Sequence, residues 1–74
     1  MAAAPARFTI RTPTGEVEEV KDDRYNEKTT LSKAITYALR ADRPGTWEVV
    51  EWEDVLYRVH RSPAQGLDVR IEVA

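Results

Sequence analysis

The sequence predicts an α+β fold in which one amphipathic helix packs on one face of a mostly antiparallel sheet. One stretch has the 3.6-residue period of a helix, and the five short segments around it have the period of two that is typical of strands. A helix with one apolar stripe and a sheet with one apolar face bury these surfaces by packing together. The expected element order is β-β-α-β-β-β, in a single domain of residues 7–74.

Length and composition limit the class of protein. The chain has 74 residues, so it forms one domain with a small core. Hydrophobic residues make up 42% and charged residues 32%, which is typical of a folded chain. The net charge of −2 lacks the basic excess of most nucleic-acid-binding domains. The absence of cysteine excludes disulfides and thiolate metal sites, and it favours either a reducing compartment or additional stability from self-association.

Residues 1–6 are predicted to form a disordered N-terminal tail. The segment is too short for the apolar run of a secretory signal. No other run approaches the roughly 20 apolar residues of a membrane span. We therefore expect a cytoplasmic protein. A bacterial or phage accessory gene is a hypothesis about its origin that no residue pattern supplies.

The first hairpin begins with a strand at Arg7–Thr12, in which Phe8 and Ile10 share one face. Thr12-Pro13-Thr14-Gly15 fits a type I turn, because proline takes its second position and glycine its fourth. The partner strand is expected at Glu16–Lys21.

The partner strand has an irregular pattern. Val17 and Val20 are three residues apart, so a shared face would require a bulge. Its many charges indicate an edge strand, because charged side chains discourage pairing with other chains. The polar stretch Asp22–Lys28 that follows is predicted to be a loop.

The helix is predicted from Leu31 to about Ala41, with Thr29 or Thr30 as its N-terminal cap. Arg43-Pro44-Gly45 ends it, because proline cannot continue a helix and glycine permits a reversal. The apolar stripe, which is the strongest periodic signal in the chain, contains Leu31, Ala34, Ile35, Ala38 and Leu39.

A second hairpin and a last strand complete the chain. The hairpin pairs Thr46–Trp52 with Val55–Arg61 across Glu53-Asp54, in a four-residue turn from Trp52 to Val55. The last strand, Leu67–Val73, alternates cleanly between apolar and polar residues. The resulting order is similar to that of ubiquitin-like β-grasp proteins, which also open with a hairpin leading into a helix. The similarity concerns element order alone.

This hairpin register divides the side chains between two faces, because directly opposed residues share a face. The expected core face contains Val50, Trp52, Val55, Tyr57 and Val59. The outer face then carries a candidate partner-binding patch of Trp47, Val49, Leu56, Arg58 and His60. Two alternatives stay open. Trp47 covers the end of the sheet, or a bulge exchanges the two faces.

No residue pattern indicates catalysis, so the chain is expected to be no enzyme and to use no cofactor or metal. His60 is the only histidine, whereas a zinc site needs several ligands. The clustered carboxylates need a cleft that shifts their pKa values before they can act as acid and base. Solvated strand edges and turns account for them more simply.

The predicted function is that of a small accessory or regulatory protein acting through protein contacts. The helix-free face of the sheet would dock a protein partner or form a homo-oligomer. The alternative is weak binding of single-stranded nucleic acid, with basic side chains around a stacking ring. The residues proposed for this alternative are Arg58, Arg61, Arg70 and Trp47.

Overall fold

The computed structural model describes residues 6–20, 26–63 and 69–74. Its elements are β1 (Phe8–Arg11), β2 (Val17–Val20), α1 (Glu27–Arg40), β3 (Gly45–Glu51), β4 (Asp54–Arg61) and β5 (Val69–Val73). The strands form one antiparallel sheet in the order β2-β1-β3-β4-β5, and α1 packs against it. The predicted α+β fold is confirmed. Positions 1–5 of the predicted tail, 21 of the predicted partner strand, 22–25 of the predicted loop and 67–68 of the predicted last strand lie outside the described residues.

The helix α1 connects two strands that run parallel to each other. β2 and β3 each pair antiparallel with β1, which lies between them, so β2 and β3 run parallel to each other. α1 is the crossover that joins these two parallel strands. It packs mainly on β3 and β4, less on β1, and only slightly on β5.

The first turn forms as the sequence predicts. The Gly15 amide donates to the Thr12 carbonyl at 3.0 Å, and the Thr12 amide donates to the Glu16 carbonyl at 2.8 Å. Gly15 has a φ of +90°, a conformation that favours glycine because a side chain would clash with the backbone.

The prediction of a bulge in β2 is wrong. The register with β1 is regular, from Phe8 opposite Val20 to Arg11 opposite Val17. The two valines therefore lie on opposite faces, where Val20 is buried and Val17 is 56% exposed. β2 nevertheless forms an edge of the sheet, as its charges predict.

The helix begins earlier than predicted, at Glu27, and its cap is Asn26 rather than Thr29 or Thr30. The Asn26 side chain accepts from the Thr29 amide at 3.0 Å, and the Thr29 hydroxyl accepts from the Asn26 amide at 2.7 Å. This reciprocal capping box satisfies two amides that the first helical turn would leave unpaired. The first turn is polar, so hydrophobic periodicity could not reveal it.

The helix buries a line of small residues. Ala34, Ala38 and Thr30 are fully buried, so the helix backbone approaches the sheet closely. Leu31 and Ile35 of the predicted stripe are only partly buried. Leu39 is 40% exposed, so the predicted stripe is correct at its centre and wrong at this end.

The second hairpin differs from the prediction in its turn. Glu51 pairs with Asp54, so the loop residues are Trp52 and Glu53 rather than Glu53 and Asp54. Trp52 has a φ of +56°. A type II′ turn prefers glycine at this first loop position, so the sequence gives no sign that a turn occurs here.

A β-bulge then shifts the register once more. Val50 pairs with Val55 but Val49 pairs with Tyr57, which leaves Leu56 as the additional residue of β4. Beyond the bulge Trp47 lies opposite Val59 and joins the core under the helix. Of the two alternatives left open by the sequence, β3 therefore follows the one in which a bulge exchanges the faces, so that Trp47 and Val49 face the helix.

Candidate interaction surface

A row of alternating charges crosses the helix-free face of the sheet. Arg11, Glu48, Arg58 and Glu72 lie directly opposite one another on β1, β3, β4 and β5. The carboxylate of Glu48 contacts Arg11 Nη1 at 3.0 Å and Arg58 Nε at 3.4 Å. Arg58 Nη1 also lies 3.7 Å from Glu72 Oε1. These four charges compensate one another, so the row itself has little net charge to offer a partner.

His60 extends this network. Its Nδ1 lies 2.9 Å from the Thr46 hydroxyl, and its Nε2 lies 3.3 Å from Glu72 Oε1. A hydroxyl, an imidazole and a carboxylate in this order have the composition of a nucleophile–base relay. Thr46 and His60, however, are a directly opposed cross-strand pair, a place where such hydrogen bonds stabilise sheets. We therefore assign the three side chains to the stability of the sheet.

An open groove of about 550 Å³ lies beside Thr46 and His60. It is lined by Pro44, Gly45, Thr46, His60, Arg61, Ser62, Pro63 and Arg70. Among the lining groups, the imidazole and the Thr46 hydroxyl already contact each other. The groove is open to solvent and lies beside the network, so it is not an enclosed pocket.

On the helix side, a polar cluster ties α1 to β2. The Tyr37 hydroxyl donates to Glu18 Oε1 at 2.7 Å, and Lys33 Nζ lies 3.2 Å from the same oxygen. The hydrogen bond from Tyr37 and the charge of Lys33 lower the pKa of Glu18 and outweigh its partial burial. Burial raises the pKa of Tyr37, and the bond to Glu18 raises it further. The cluster keeps a charged carboxylate on the inner face of an edge strand.

The two edge strands are protected to different degrees. β2 has the sequence VEEV, and its Glu18 points to the helix side. Inward-pointing charge at an edge discourages pairing with another strand. β5 has the sequence VRIEV, in which apolar and charged residues alternate and the charges cancel. In the described part of the chain, no strand lies beyond β5.

The apolar side chains of β5 are largely uncovered. Ile71 is 45% exposed and Val73 is 75% exposed, while Val69 is partly buried against the core. These side chains share the helix side of the sheet, because they lie opposite Val59, Tyr57 and Arg61 of β4. α1 lies too far toward β3 to cover Ile71 and Val73. We define the β5 edge as the outer backbone edge of β5 together with Val69, Ile71 and Val73.

The prediction that five residues form one exposed patch is wrong. Trp47 is only 6% exposed and Val49 is fully buried, because both face the helix. Leu56, the additional residue of the bulge, also packs against the core. Arg58 and His60 do lie on the helix-free face, as predicted, where both are ion-paired or hydrogen-bonded. A role of these two in partner binding stays a prediction.

The structure brings together only two residues of the nucleic-acid alternative, because Arg61 and Arg70 line the same groove whereas Trp47 and Arg58 do not. Trp47 is buried and has no face free for a base. Arg61 lies on the helix side and donates to the Ala38 carbonyl at 3.3 Å, whereas Arg58 lies on the other side in the charge row. Arg70 is exposed opposite His60. The geometry supplies neither the stacking ring nor one basic surface.

The sequence alone does not mark Ile71 and Val73 as exposed. Their signal was the clean alternation of the last strand, which predicted an apolar face but not which part of it the helix covers. Coverage depends on the strand order, which places β5 at the edge and α1 over β3 and β4.

No protein-family model matches the chain, and no curated protein or solved structure is significantly similar to it. The similarity to β-grasp proteins therefore stays one of element order. Within residues 6–20, 26–63 and 69–74, no helix has the length and apolar character needed to cross a membrane. Across these same ranges, no three histidine or acidic side chains cluster as potential metal ligands.

Proposed function

We propose that this chain is a small, non-enzymatic accessory module that contacts another polypeptide through the β5 edge. The observation that carries the proposal is the 75% exposure of Val73 and the 45% exposure of Ile71 on an edge strand with no neighbour among the described residues. Addition of a strand to such an edge is a common mode of peptide recognition, in which backbone hydrogen bonds supply affinity and alternate side chains supply specificity.

The helix-free face, which the sequence favoured, supports this role less well. Arg11, Glu48, Arg58 and Glu72 already pair with one another along the charge row. A partner on this face would have to remove water from the charged groups without gaining new opposite charges. The β5 edge instead offers exposed apolar side chains, whose burial is favourable, and backbone groups with no neighbouring strand among the described residues, which a partner strand could hydrogen-bond.

The non-enzymatic part of the proposal is supported by how the titratable groups are used. Both ring nitrogens of His60 contact neighbouring strand residues. The carboxylate of Glu48 pairs with two arginines, and that of Glu72 pairs with Arg58 and contacts His60. A general acid or base must instead present a free position to its substrate.

Site-specific photocrosslinking tests the proposal. A photoreactive amino acid replaces Val73 in the full chain, and the matched control carries it at Val17, which is 56% exposed on the opposite edge strand. Both positions tolerate a large side chain because they are exposed. After irradiation in the producing cell, we expect polypeptide adducts from position 73 and few from position 17.

The adduct masses and yields decide the outcome. A discrete adduct specific to position 73, with a second copy or with another protein, supports the proposal. Equal yields from both positions, or no polypeptide adduct from position 73, would overturn it. Peptide mapping of the adduct identifies the segment that lies against β5.

A further inference from the structure

We infer that the polypeptide at the β5 edge is a second copy of this chain, whose β5 pairs antiparallel with the first about Ile71. The inference rests on the proposed function and names the partner and the register. Three features of the strand carry it: the direction of its backbone groups, its charge pattern and the exposure of its apolar side chains.

The backbone direction determines which groups are available for pairing. The Ala74 amide donates to the Leu56 carbonyl of β4 at 3.0 Å. Amide and carbonyl directions alternate along a strand, so Arg70 and Glu72 also point their backbone groups toward β4. Val69, Ile71 and Val73 therefore point theirs outward. These are the backbone groups that a second strand would bind.

Pairing about Ile71 uses all of these groups. Ile71 lies opposite Ile71 of the partner subunit, and Val69 lies opposite Val73 of the partner subunit. Each such pair exchanges two hydrogen bonds, so the junction contains about six. The two five-stranded sheets become one continuous sheet, related by a twofold axis.

The charges select this register from its neighbours. About Ile71, Arg70 lies opposite Glu72 of the partner subunit, and the symmetry repeats this favourable pair. Moving the partner strand by two residues in one direction places Arg70 opposite Arg70 of the partner subunit. Moving it by two residues in the other direction places Glu72 opposite Glu72 of the partner subunit. Like charges in direct opposition destabilise a sheet, so VRIEV is self-complementary in one register only.

The pairing also covers the exposed apolar side chains. Val69, Ile71 and Val73 of both subunits would meet on the helix side of the joined sheet. On the other side, Arg70 of the partner subunit extends the charge row, since it lies beside Glu72, which is 3.7 Å from Arg58. Both faces of the junction therefore continue the pattern of the sheet.

The junction is small, which determines how the dimer behaves. A five-residue strand on each side buries less than the roughly 800 Å² per partner of a standard stable interface. We therefore expect a weak dimer in rapid exchange. The mass of the 8.4 kDa chain should increase toward about twice that value as the concentration rises.

Two measurements on the wild-type chain test the inference. Sedimentation equilibrium is recorded from about 10 µM to about 1 mM, a range that covers weak association. Amide hydrogen exchange is recorded over the same range. We expect the mass to rise, and the exchange of Val69, Ile71 and Val73 to slow at least about tenfold with it. Arg70 and Glu72, whose amides point to β4, should change much less.

Two charge variants test the register. Arg70→Glu places like charges in both opposed pairs, and so does Glu72→Arg. Each variant alone should weaken dimerisation at least about tenfold. When the two variants are mixed, each pair again joins opposite charges, so a heterodimer should recover the wild-type affinity. Circular dichroism of each variant verifies its fold. If Glu72→Arg fails to fold, the exchange pattern of the wild type still decides.

The inference is overturned if the mass stays at 8.4 kDa throughout, or if the exchange of the outward amides is independent of concentration. Dimerisation that the charge variants leave unchanged also overturns it. A monomer that still gives adducts at position 73 with a different protein would overturn the inference and leave the proposed function standing. Loss of every polypeptide adduct at that position would overturn both.

Discussion

Tyr37 of the helix donates a 2.7 Å hydrogen bond to the carboxylate of Glu18 on the edge strand β2. This contact joins the crossover helix to the far side of the sheet, beyond the strands on which the helix mainly packs. It also explains how an edge strand keeps a charged side chain on its inner face. The bond satisfies the carboxylate, while the charge discourages a further strand from pairing there.

We expect Tyr37→Phe to lower the free energy of unfolding by about 0.5–1 kcal/mol at neutral pH, because a hydrogen bond to a partly exposed charged group is lost. Chemical denaturation measures the change. In a double-mutant cycle with Glu18→Gln, the two effects should be non-additive by a similar amount. Strict additivity would show that the bond does not contribute to stability.

The same pair predicts a pH dependence of stability. The pKa of Glu18 is lowered by its hydrogen bond to Tyr37, so its contribution is present above the ordinary value of 4.5 and is lost as the pH falls through the lowered pKa. The pKa of Tyr37 is raised by burial, so its contribution is present below 10.0 and is lost as the pH rises through the raised pKa. The free energy of unfolding of Tyr37→Phe, measured by chemical denaturation at each pH, should therefore depend less on pH than that of the wild type at both the acidic and the alkaline extreme.

The sequence predicted the element order, the edge position of β2 and, beyond the bulge at Leu56, the inner face of β4, where Tyr57 and Val59 face the helix side. It failed on β3, because a bulge and an unusual turn each shift the register. A one-residue shift transfers every side chain of a strand to the other face. Trp47 and Val49 therefore moved from a predicted exposed patch to the core. Neither the φ of Trp52 nor the bulge at Leu56 leaves a signal in hydropathy.

The two tryptophans should therefore behave in opposite ways. Trp47→Ala is expected to cost about 3 kcal/mol or more, because it leaves a cavity under the helix. Trp52→Ala should change stability by less than about 0.5 kcal/mol, since Trp52 is 57% exposed. In the single-tryptophan variants Trp52→Phe and Trp47→Phe, acrylamide should quench the fluorescence of Trp47 weakly and that of Trp52 strongly. Equal quenching would contradict the assignment of faces.

The hairpin turn should be improved by glycine at one of its two positions. Trp52 has a φ of +56°, which costs a residue with a side chain roughly 1–2 kcal/mol. Trp52→Gly removes this strain and adds an entropic cost of about 0.5–1 kcal/mol, so we expect a small net stabilisation. Glu53→Gly is the matched control, because it brings the entropic cost without the relief. In thermal unfolding, Trp52→Gly should have a higher Tm than Glu53→Gly. A higher Tm for Glu53→Gly would contradict a strained turn.

The helix contains one buried polar group whose removal should stabilise the protein. Thr30 is fully buried, and its hydroxyl has no hydrogen-bond partner among the described residues. Thr30→Val keeps the shape and removes the unsatisfied hydroxyl, so we expect a gain of about 1 kcal/mol, seen as a rise in Tm of roughly 4–8 °C.

The matched control for Thr30→Val is Thr36→Val, on the exposed side of the same helix. The Thr36 hydroxyl donates to the Ser32 carbonyl at 3.0 Å, so its loss should change stability by less than about 0.5 kcal/mol. Comparing the two variants separates the burial of the hydroxyl from the change in helix propensity that both substitutions share. If Thr30→Val lowers the Tm, the hydroxyl has a partner in solution, and a buried water bound there would be the physical explanation.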